Sequence, residues 1–334
     1  MNKKLFQSLA IAAPISLIAG IAAAQSNITI YGIIDASISR ESNGAGAVTK
    51  MEPGVFNGSR LGFKGSEDLG GGLSATFFLE NGFNPDDGSA AQGGRLFGRQ
   101  SYIGLQGDFG AVRLGRQYAP IYLAQLTVDP FVGGMKGDMT SIRQWFSSGN
   151  FRVDNAITYT APSYGNLTAS VLYGLGEVAG NSAASRQMGF SVGYVGAPLT
   201  GTVSYHSTND ALGIDSVKVW FIGGAYNFGP FKLHAGADRV TSGGGAEVRD
   251  SMIGVSLPLQ RSKLMASFIY KQNKQISDAN ARQVAFGYLF DLSKRTALYS
   301  SVAFVKNDRN SAINAGGVQG ATDKVFDIGL RQTF

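Results

Sequence analysis

Cysteine is missing from the chain, which excludes disulfide bonds and thiolate metal sites. Histidine is scarce: His206 and His234 are the only two, and neither lies in a catalytic motif. The motifs of serine hydrolases, zinc metalloproteases and Walker A nucleotide sites are also absent. Charged residues make up 16% of the chain, and no basic cluster is interleaved with aromatic residues. We therefore expect no enzymatic activity, no cofactor, no bound metal and no nucleic-acid partner.

Long apolar runs are missing beyond the first 24 residues. At the start, Lys3 and Lys4 precede a mostly apolar run, and alanines at positions 22–24 supply the small residues that signal peptidase requires. This pattern predicts a cleaved secretory signal peptide over residues 1–24. The alternative is an N-terminal membrane anchor, but Pro14 interrupts a run that is already short for a span of ~20 residues. If the mature protein crosses a membrane, it does so with strands.

The C-terminal stretch shows the pattern that such strands require. Phe326, Ile328 and Leu330 alternate with residues that include Asp327 and Arg331, so a strand here presents one apolar and one polar face. Most other strand candidates alternate in the same way, which leaves no sizeable soluble core. An apolar outer face and a polar interior are typical of a transmembrane β-barrel.

The spacing of these candidates indicates the architecture. About sixteen strand-like segments are separated alternately by tight turns and by longer polar loops rich in Gly, Ser, Asn, Ala and Asp, among them 40–58 and 119–150. No linker divides residues 25–334. The sequence therefore predicts a single all-β domain, a transmembrane antiparallel β-barrel of about 16 strands with an aqueous lumen.

Several segments carry a resemblance to a known family. They are residues 27–36, 59–73, 98–105, 114–118, 152–159, 292–299 and 328–331, together with the terminal phenylalanine. With them the chain resembles the sixteen-stranded general porins of Gram-negative outer membranes, and within these it is most similar to the betaproteobacterial branch. The resemblance covers essentially the whole mature chain.

The resemblance implies an outer-membrane channel for passive diffusion of small hydrophilic solutes and ions. It also implies a homotrimer, contacts with outer-membrane lipid and lipopolysaccharide, and delivery by periplasmic chaperones to the barrel-assembly machinery, with Phe334 as the assembly signal. The third external loop, here 119–150, is expected to fold into the lumen as a constriction. The alternatives are a structural or adhesive barrel and a substrate-specific channel.

The resemblance also implies which residues line the constriction. Arg60, Arg99 and Arg152 match positions of a basic wall in these porins, and Arg116 and Lys64 are further candidates on the same wall. Each of these side chains has the alternative of an ordinary charge at the rim or in the lumen.

The loop that faces this wall departs from the family pattern. Enterobacterial relatives carry Pro-Glu-Phe-Gly-Gly, whereas this chain reads Asp-Pro-Phe-Val-Gly-Gly from Asp129, which places Phe131 where the acid would be. Asp129 and Asp138 add negative charge to the loop, but Lys136 and Arg143 offset it. If the wall arginines outweigh the loop acids, the field in the pore is positive, and we expect a preference for anions.

Overall fold

Nearly all regular structure in the chain is β-strand. The computed structural model describes residues 27–143 and 151–334, so the predicted signal peptide lies outside the described residues. Within that part there are seventeen strands. They are β1 (Asn27–Asn43), β2 (Gly46–Pro53), β3 (Arg60–Gly70), β4 (Leu73–Gly82), β5 (Gln100–Gly107), β6 (Gly110–Tyr118), β7 (Arg152–Thr160), β8 (Leu167–Gly174), β9 (Gln187–Val195), β10 (Leu199–Asn209), β11 (Ser216–Asn227), β12 (Lys232–Thr241), β13 (Glu247–Leu259), β14 (Ser262–Asn273), β15 (Ala281–Asp291), β16 (Thr296–Asn307) and β17 (Thr322–Thr333).

Helical structure is limited to short turns in the described ranges. They are α1 (Ala91–Gly94), α2 (Pro120–Leu126) and a 3-10 turn at Gly243–Gly245. No helix in residues 27–143 or 151–334 combines the length and apolar character needed to cross a membrane.

The seventeen strands fill sixteen positions of one closed antiparallel sheet. The first half of β1, Asn27 to Ile33, pairs with β3, and the second half, Ala36 to Asn43, pairs with β2. β2 and β3 therefore lie end to end on the same side of β1. All other strands pair with their neighbours in sequence, and β17 pairs with the other side of β1. The predicted sixteen-stranded barrel is confirmed, and the pairing of β17 with β1 closes the sheet.

The two ends of the described chain meet where the barrel closes. The N–H of Gly32 donates to the carbonyl of Phe334 at 3.0 Å, and the N–H of Phe334 donates back to the carbonyl of Gly32 at 3.1 Å. A Cβ atom at position 32 would collide with the Phe334 ring, so this close approach needs glycine. The terminal residue thus completes the ladder between β17 and β1.

Burial along the strands is inverted relative to a soluble protein. In β17, Phe326, Ile328 and Leu330 are about half exposed, at 49%, 53% and 49%, whereas Asp323 and Asp327 are 3% and 0% exposed. The predicted alternation is therefore confirmed, with the apolar face outside. Apolar side chains are favourable on a surface that faces hydrocarbon. A Lys or Arg on the lipid face at mid-depth, by contrast, costs roughly 2–4 kcal/mol.

One predicted loop is wrong. Residues 40–58 were expected to be irregular, but β1 continues to Asn43 and pairs directly with β2, with Asn43 opposite Gly46. Gly46 has a φ of +119°, which a residue with a side chain rarely adopts, so it permits this tight reversal. The polar composition that is typical of a loop belongs here to a β-hairpin.

Candidate functional site

Three arginines that are far apart in sequence are joined by one carboxylate and one tyrosine hydroxyl. Arg60 begins β3, Arg99 immediately precedes β5, and Arg152 begins β7. Glu80 of β4 binds Arg99 Nε through Oε1 at 2.8 Å and lies 3.8 Å from Arg60 Nη1 through Oε2. Tyr118 accepts hydrogen bonds from Arg99 at 2.8 Å and from Arg152 at 2.9 Å. We call these five residues the arginine cluster.

Strand register explains why these groups converge. Glu80 lies opposite Gly62 of β3 on one side and opposite Gln100 of β5 on the other, so its carboxylate reaches arginines at the ends of both neighbouring strands. The small size of Gly62 leaves room for the ring of Tyr31, whose hydroxyl donates to Glu80 at 2.7 Å. Sequence reasoning identified the arginines and missed Glu80, because an isolated glutamate in a strand carries no distinguishing signal.

The other two wall candidates lie beside this cluster and not within it. Arg116 Nη1 contacts Asp154 Oδ1 at 2.5 Å, and Arg95 contacts the other oxygen of the same carboxylate at 2.8 Å. Lys64 is exposed, with its ammonium 5.5 Å from the centre of the Tyr31 ring. Asp154, like Glu80, was not predicted to be a partner of the arginines.

The long loop, residues 119–150, begins with α2 and is described as far as residue 143. Its backbone is bound by side chains from the buried face of the sheet. His234 contacts the carbonyl of Val128 at 3.0 Å, and Ser267 donates to the carbonyl of Gly137 at 2.7 Å. Gln283 donates to the carbonyl of Lys136 at 2.9 Å. Three strands, β12, β14 and β15, therefore contact the backbone of the described part of the loop.

Of the predicted loop acids, Asp129 is buried and Asp138 is half-buried. The Asp129 carboxylate accepts hydrogen bonds from the N–H groups of Phe131 at 3.1 Å, Gly133 at 2.7 Å and Met139 at 3.3 Å. Burial and the nearby charge of Asp138 raise the pKa of Asp129 to about 7. Burial likewise raises the pKa of Asp138 to about 6. Asp129 therefore organises the loop backbone.

The remaining predicted loop residues contact different parts of the wall. Phe131 is fully buried in an apolar cluster that includes Met135 and Tyr299. Arg143 is also buried and forms an ion pair with Asp238 of β12. Burial lowers the pKa of Arg143 to about 10. Phe131 and Arg143 thus anchor the loop, one by apolar packing and the other by an ion pair.

Carboxylates predominate in an adjoining part of the wall. Lys50 of β2 bridges Glu41 at 3.0 Å and Glu52 at 2.8 Å, and β17 contributes Asp323 and Asp327. We call these five residues the acidic cluster. Sequence reasoning did not predict it, because its members come from three strands that meet only when the barrel closes.

The long loop contacts both clusters. Tyr122 of α2 stacks on Tyr118 of the arginine cluster with ring centres 5.1 Å apart. Lys136 places its ammonium 2.7 Å from the Glu52 carboxylate of the acidic cluster. The described loop therefore connects a positively charged and a negatively charged part of one wall.

Comparisons with known proteins identify relatives along almost the whole chain. A model of a family described as Gram-negative porin matches residues 8–310. The chain is 33% identical to outer membrane porin protein 32 of Delftia acidovorans, with 94% of this chain and 96% of that protein aligned. It is 31% identical to an outer membrane porin of Bordetella pertussis, with coverages of 93% and 98%.

Two solved structures extend this result to the fold. One is described as an anion-selective porin from Comamonas acidovorans and superimposes with a TM-score of 0.83 at 31% identity, covering 93% of this chain and 100% of that one. The other, an OmpF from Salmonella typhi, gives a TM-score of 0.70 at 14% identity, with coverages of 92% and 97%. The second comparison concerns the fold alone.

Proposed function

The chain belongs to the Gram-negative porin family, and from this premise we propose that its pore prefers anions because of the arginine cluster. The protein is an outer-membrane porin of a Gram-negative bacterium, a water-filled channel through which small hydrophilic solutes and ions diffuse passively. We also propose how this channel selects ions and how it is assembled.

The proposed anion preference is based on the ratio of positive to negative charges in the arginine cluster. The guanidinium groups of Arg60 and Arg99 contact one carboxylate, Glu80, and that of Arg152 contacts Tyr118, so the cluster holds three positive charges against one negative charge. Arg99 is 6% exposed and acts through its field, whereas Arg60 and Arg152 are partly exposed and can contact passing ions. A positive field in a narrow, low-dielectric passage concentrates anions. The similar porin from Comamonas acidovorans is described as anion-selective.

The long loop is the proposed constriction of this pore. Contacts of residues 128–137 with side chains of β12, β14 and β15 support this role, because a loop held against the inner wall narrows the lumen. Residues 144–150 of the predicted constriction lie outside the described residues. Lys64 and Arg116 contribute to the positive field as neighbours of the arginine cluster.

Export and assembly follow the family pattern in our proposal. Residues 1–24 act as a cleaved signal peptide, and the mature chain 25–334 passes through the periplasm with chaperones to the barrel-assembly machinery. Phe334 serves as its recognition signal, and the folded barrels form a homotrimer in contact with lipopolysaccharide. Support comes from family membership and from Phe334, whose backbone closes the barrel while its side chain is 51% exposed.

We further propose that the protein has no catalytic activity. His234 is held between the carbonyl of Val128 at 3.0 Å and the hydroxyl of Ser256 at 2.9 Å, and it fixes the long loop. The His206 ring is buried and contacts Gln187 at 3.1 Å. These contacts give each histidine a packing role that accounts for its position.

Planar-bilayer recording tests the proposed function. The refolded mature chain is reconstituted, and its reversal potential is measured across a potassium chloride gradient. We expect large conductance steps, grouped in threes for a trimer, and a potential that favours chloride. A potential favouring potassium would contradict the anion preference, and folded barrels without steps would indicate a plugged, structural role.

A further inference from the structure

A cavity of about 430 Å³ lies between the long loop and the acidic cluster. Its walls include Glu41, Glu52 and Asp323 from the barrel and Met135 and Asp138 from the loop. The volume falls within the range of ~300–1,000 Å³ that is typical of small-molecule sites. The cavity is separate from the arginine cluster, none of whose members lines it.

The cavity has a surplus of negative charge. Lys50 is engaged by Glu41 and Glu52, and Lys136 by Glu52, so both lysines are already paired. Asp138 accepts hydrogen bonds from the N–H and hydroxyl of Thr140, both at 2.5 Å. Asp323 forms no ion pair within the described residues. A ligand that compensates its negative charge must therefore be positively charged.

Asp323 is the observation that turns this cluster into a candidate site. The residue is 3% exposed and lines the cavity, and its Oδ1 atom has no hydrogen-bond partner within the described residues. A buried carboxylate oxygen without a donor is unfavourable, because desolvation is not compensated. Asp327, four residues along the same strand and on the same face, also has an Oδ1 atom without a partner among the described residues, and its Oδ2 atom accepts a hydrogen bond from Ser301 at 2.6 Å, but it does not line the cavity.

The remaining lining indicates the chemical class of the ligand. Aliphatic side chains lie around the acids, including Val55, Met135, Val305 and Val325. A compact –NH₃⁺ group offers three donors for Asp323 and neighbouring oxygens, while a short hydrocarbon chain covers the aliphatic surface. We propose that this cavity binds a primary alkylammonium ion, with its ammonium group on Asp323 and its alkyl group against Met135 and Val325.

Ligand-observed saturation-transfer NMR with n-propylammonium chloride tests this site on the folded, detergent-solubilised protein at fixed potassium chloride. We expect saturable binding that Asp323→Asn weakens at least about tenfold, because a charge-assisted hydrogen bond is lost. Asp327→Asn is the matched control, since it removes one charge from the same face without touching the cavity, and we expect a change within about threefold. Heat-modifiable migration on gels verifies that both variants are folded.

Tetramethylammonium chloride distinguishes a specific site from general attraction of cations. It carries the same charge without an N–H donor, so we expect weaker binding than for n-propylammonium. The proposal is overturned by absence of saturable binding, by equal loss in both variants, or by equal affinity for the two cations. The readout does not depend on ion selectivity, so a potassium-preferring pore would refute the anion preference and leave this result intact.

Discussion

The arginine cluster and the acidic cluster lie on adjoining strands of one wall but balance their charges in opposite proportions. In the arginine cluster three arginines stand against one carboxylate, Glu80, which contacts Arg60 and Arg99. In the acidic cluster Lys50 is the one cation among four carboxylates, joined by Lys136 from the long loop. The wall thus changes sign around its circumference.

Because the two balances differ, one carboxylate in each cluster has a particular influence on the net charge around it. Glu80 limits the positive charge of the arginine cluster, and Glu52 of the acidic cluster pairs with Lys50 and with Lys136 of the long loop. The long loop rests on both clusters through Tyr122 and Lys136, so the balance acts where the passage is narrowest in our proposal. Four substitutions separate these contributions.

The largest effect is expected for Glu80→Gln. The Glu80 side chain is 2% exposed and neutralises buried Arg99, and breaking a buried ion pair leaves an uncompensated charge. We expect the free energy of unfolding in lipid vesicles to fall by about 3 kcal/mol, measured by urea titration. Glu247→Gln is the control, because its pairs with Arg239 and Arg249 are at the surface and should matter little. Equal stability of both variants would contradict the structural role of Glu80.

The next effect concerns pH and the loop between the clusters. Burial raises the pKa of Asp129 to about 7 from its ordinary 3.8, so the folded state keeps a proton that the unfolded chain releases. The contribution of Asp129 to stability is therefore fully present below pH 3.8 and is lost as pH rises towards about 7. We expect Asp129→Asn to flatten this decline in thermal unfolding. The exposed loop residue Asp86, changed to Asn, should leave the decline unchanged, and an equally steep decline in Asp129→Asn would refute the assignment.

A smaller effect is expected in the acidic cluster. Glu52→Gln removes the partner shared by Lys50 and Lys136 and leaves their charges less compensated. We expect the permeability ratio of chloride to potassium to rise by about twofold, from reversal potentials. An unchanged permeability ratio would mean that Glu52 does not act on the permeating ions.

The smallest effect is expected for Lys64→Gln. Its ammonium is exposed and lies 5.5 Å from the Tyr31 ring centre, outside the network around Glu80. Solvent screens such a charge, so the permeability ratio should change by less than about 1.5-fold. A fall in chloride preference as large as the fall caused by Arg152→Gln would place Lys64 among the residues that determine ion selectivity.

The fold was predictable wherever the alternation of apolar and polar residues is visible within a single strand. The alternation of Phe326, Ile328 and Leu330 with Asp327 reports both faces of β17 without knowledge of any neighbour. The hairpin of β2 was missed because residues 46–53 have a loop-like composition and lack a regular alternation of apolar and polar residues. Periodicity detects strands that alternate in this way and is silent on strands that do not.

The candidate site was predictable only on one side of each ion pair. Arg60, Arg99 and Arg152 stood out through the resemblance to porins, and the structure brings all three together. Glu80 and Asp154 had no such signal, since their partners come from other strands and depend on register. Net charge in a pore requires both members of each pair, which the sequence alone does not provide.

We propose that the arginine cluster decides whether the pore prefers anions or cations. The most direct measurement is the reversal potential across a potassium chloride gradient for the wild type and for a variant with Arg60, Arg99 and Arg152 all changed to Gln. A matched triple variant at the surface, Arg239, Arg249 and Arg309 to Gln, removes the same charge elsewhere. We predict chloride preference in the wild type and the surface variant, and potassium preference in the cluster variant because the acidic cluster remains. Undiminished chloride preference in the cluster variant would contradict the account.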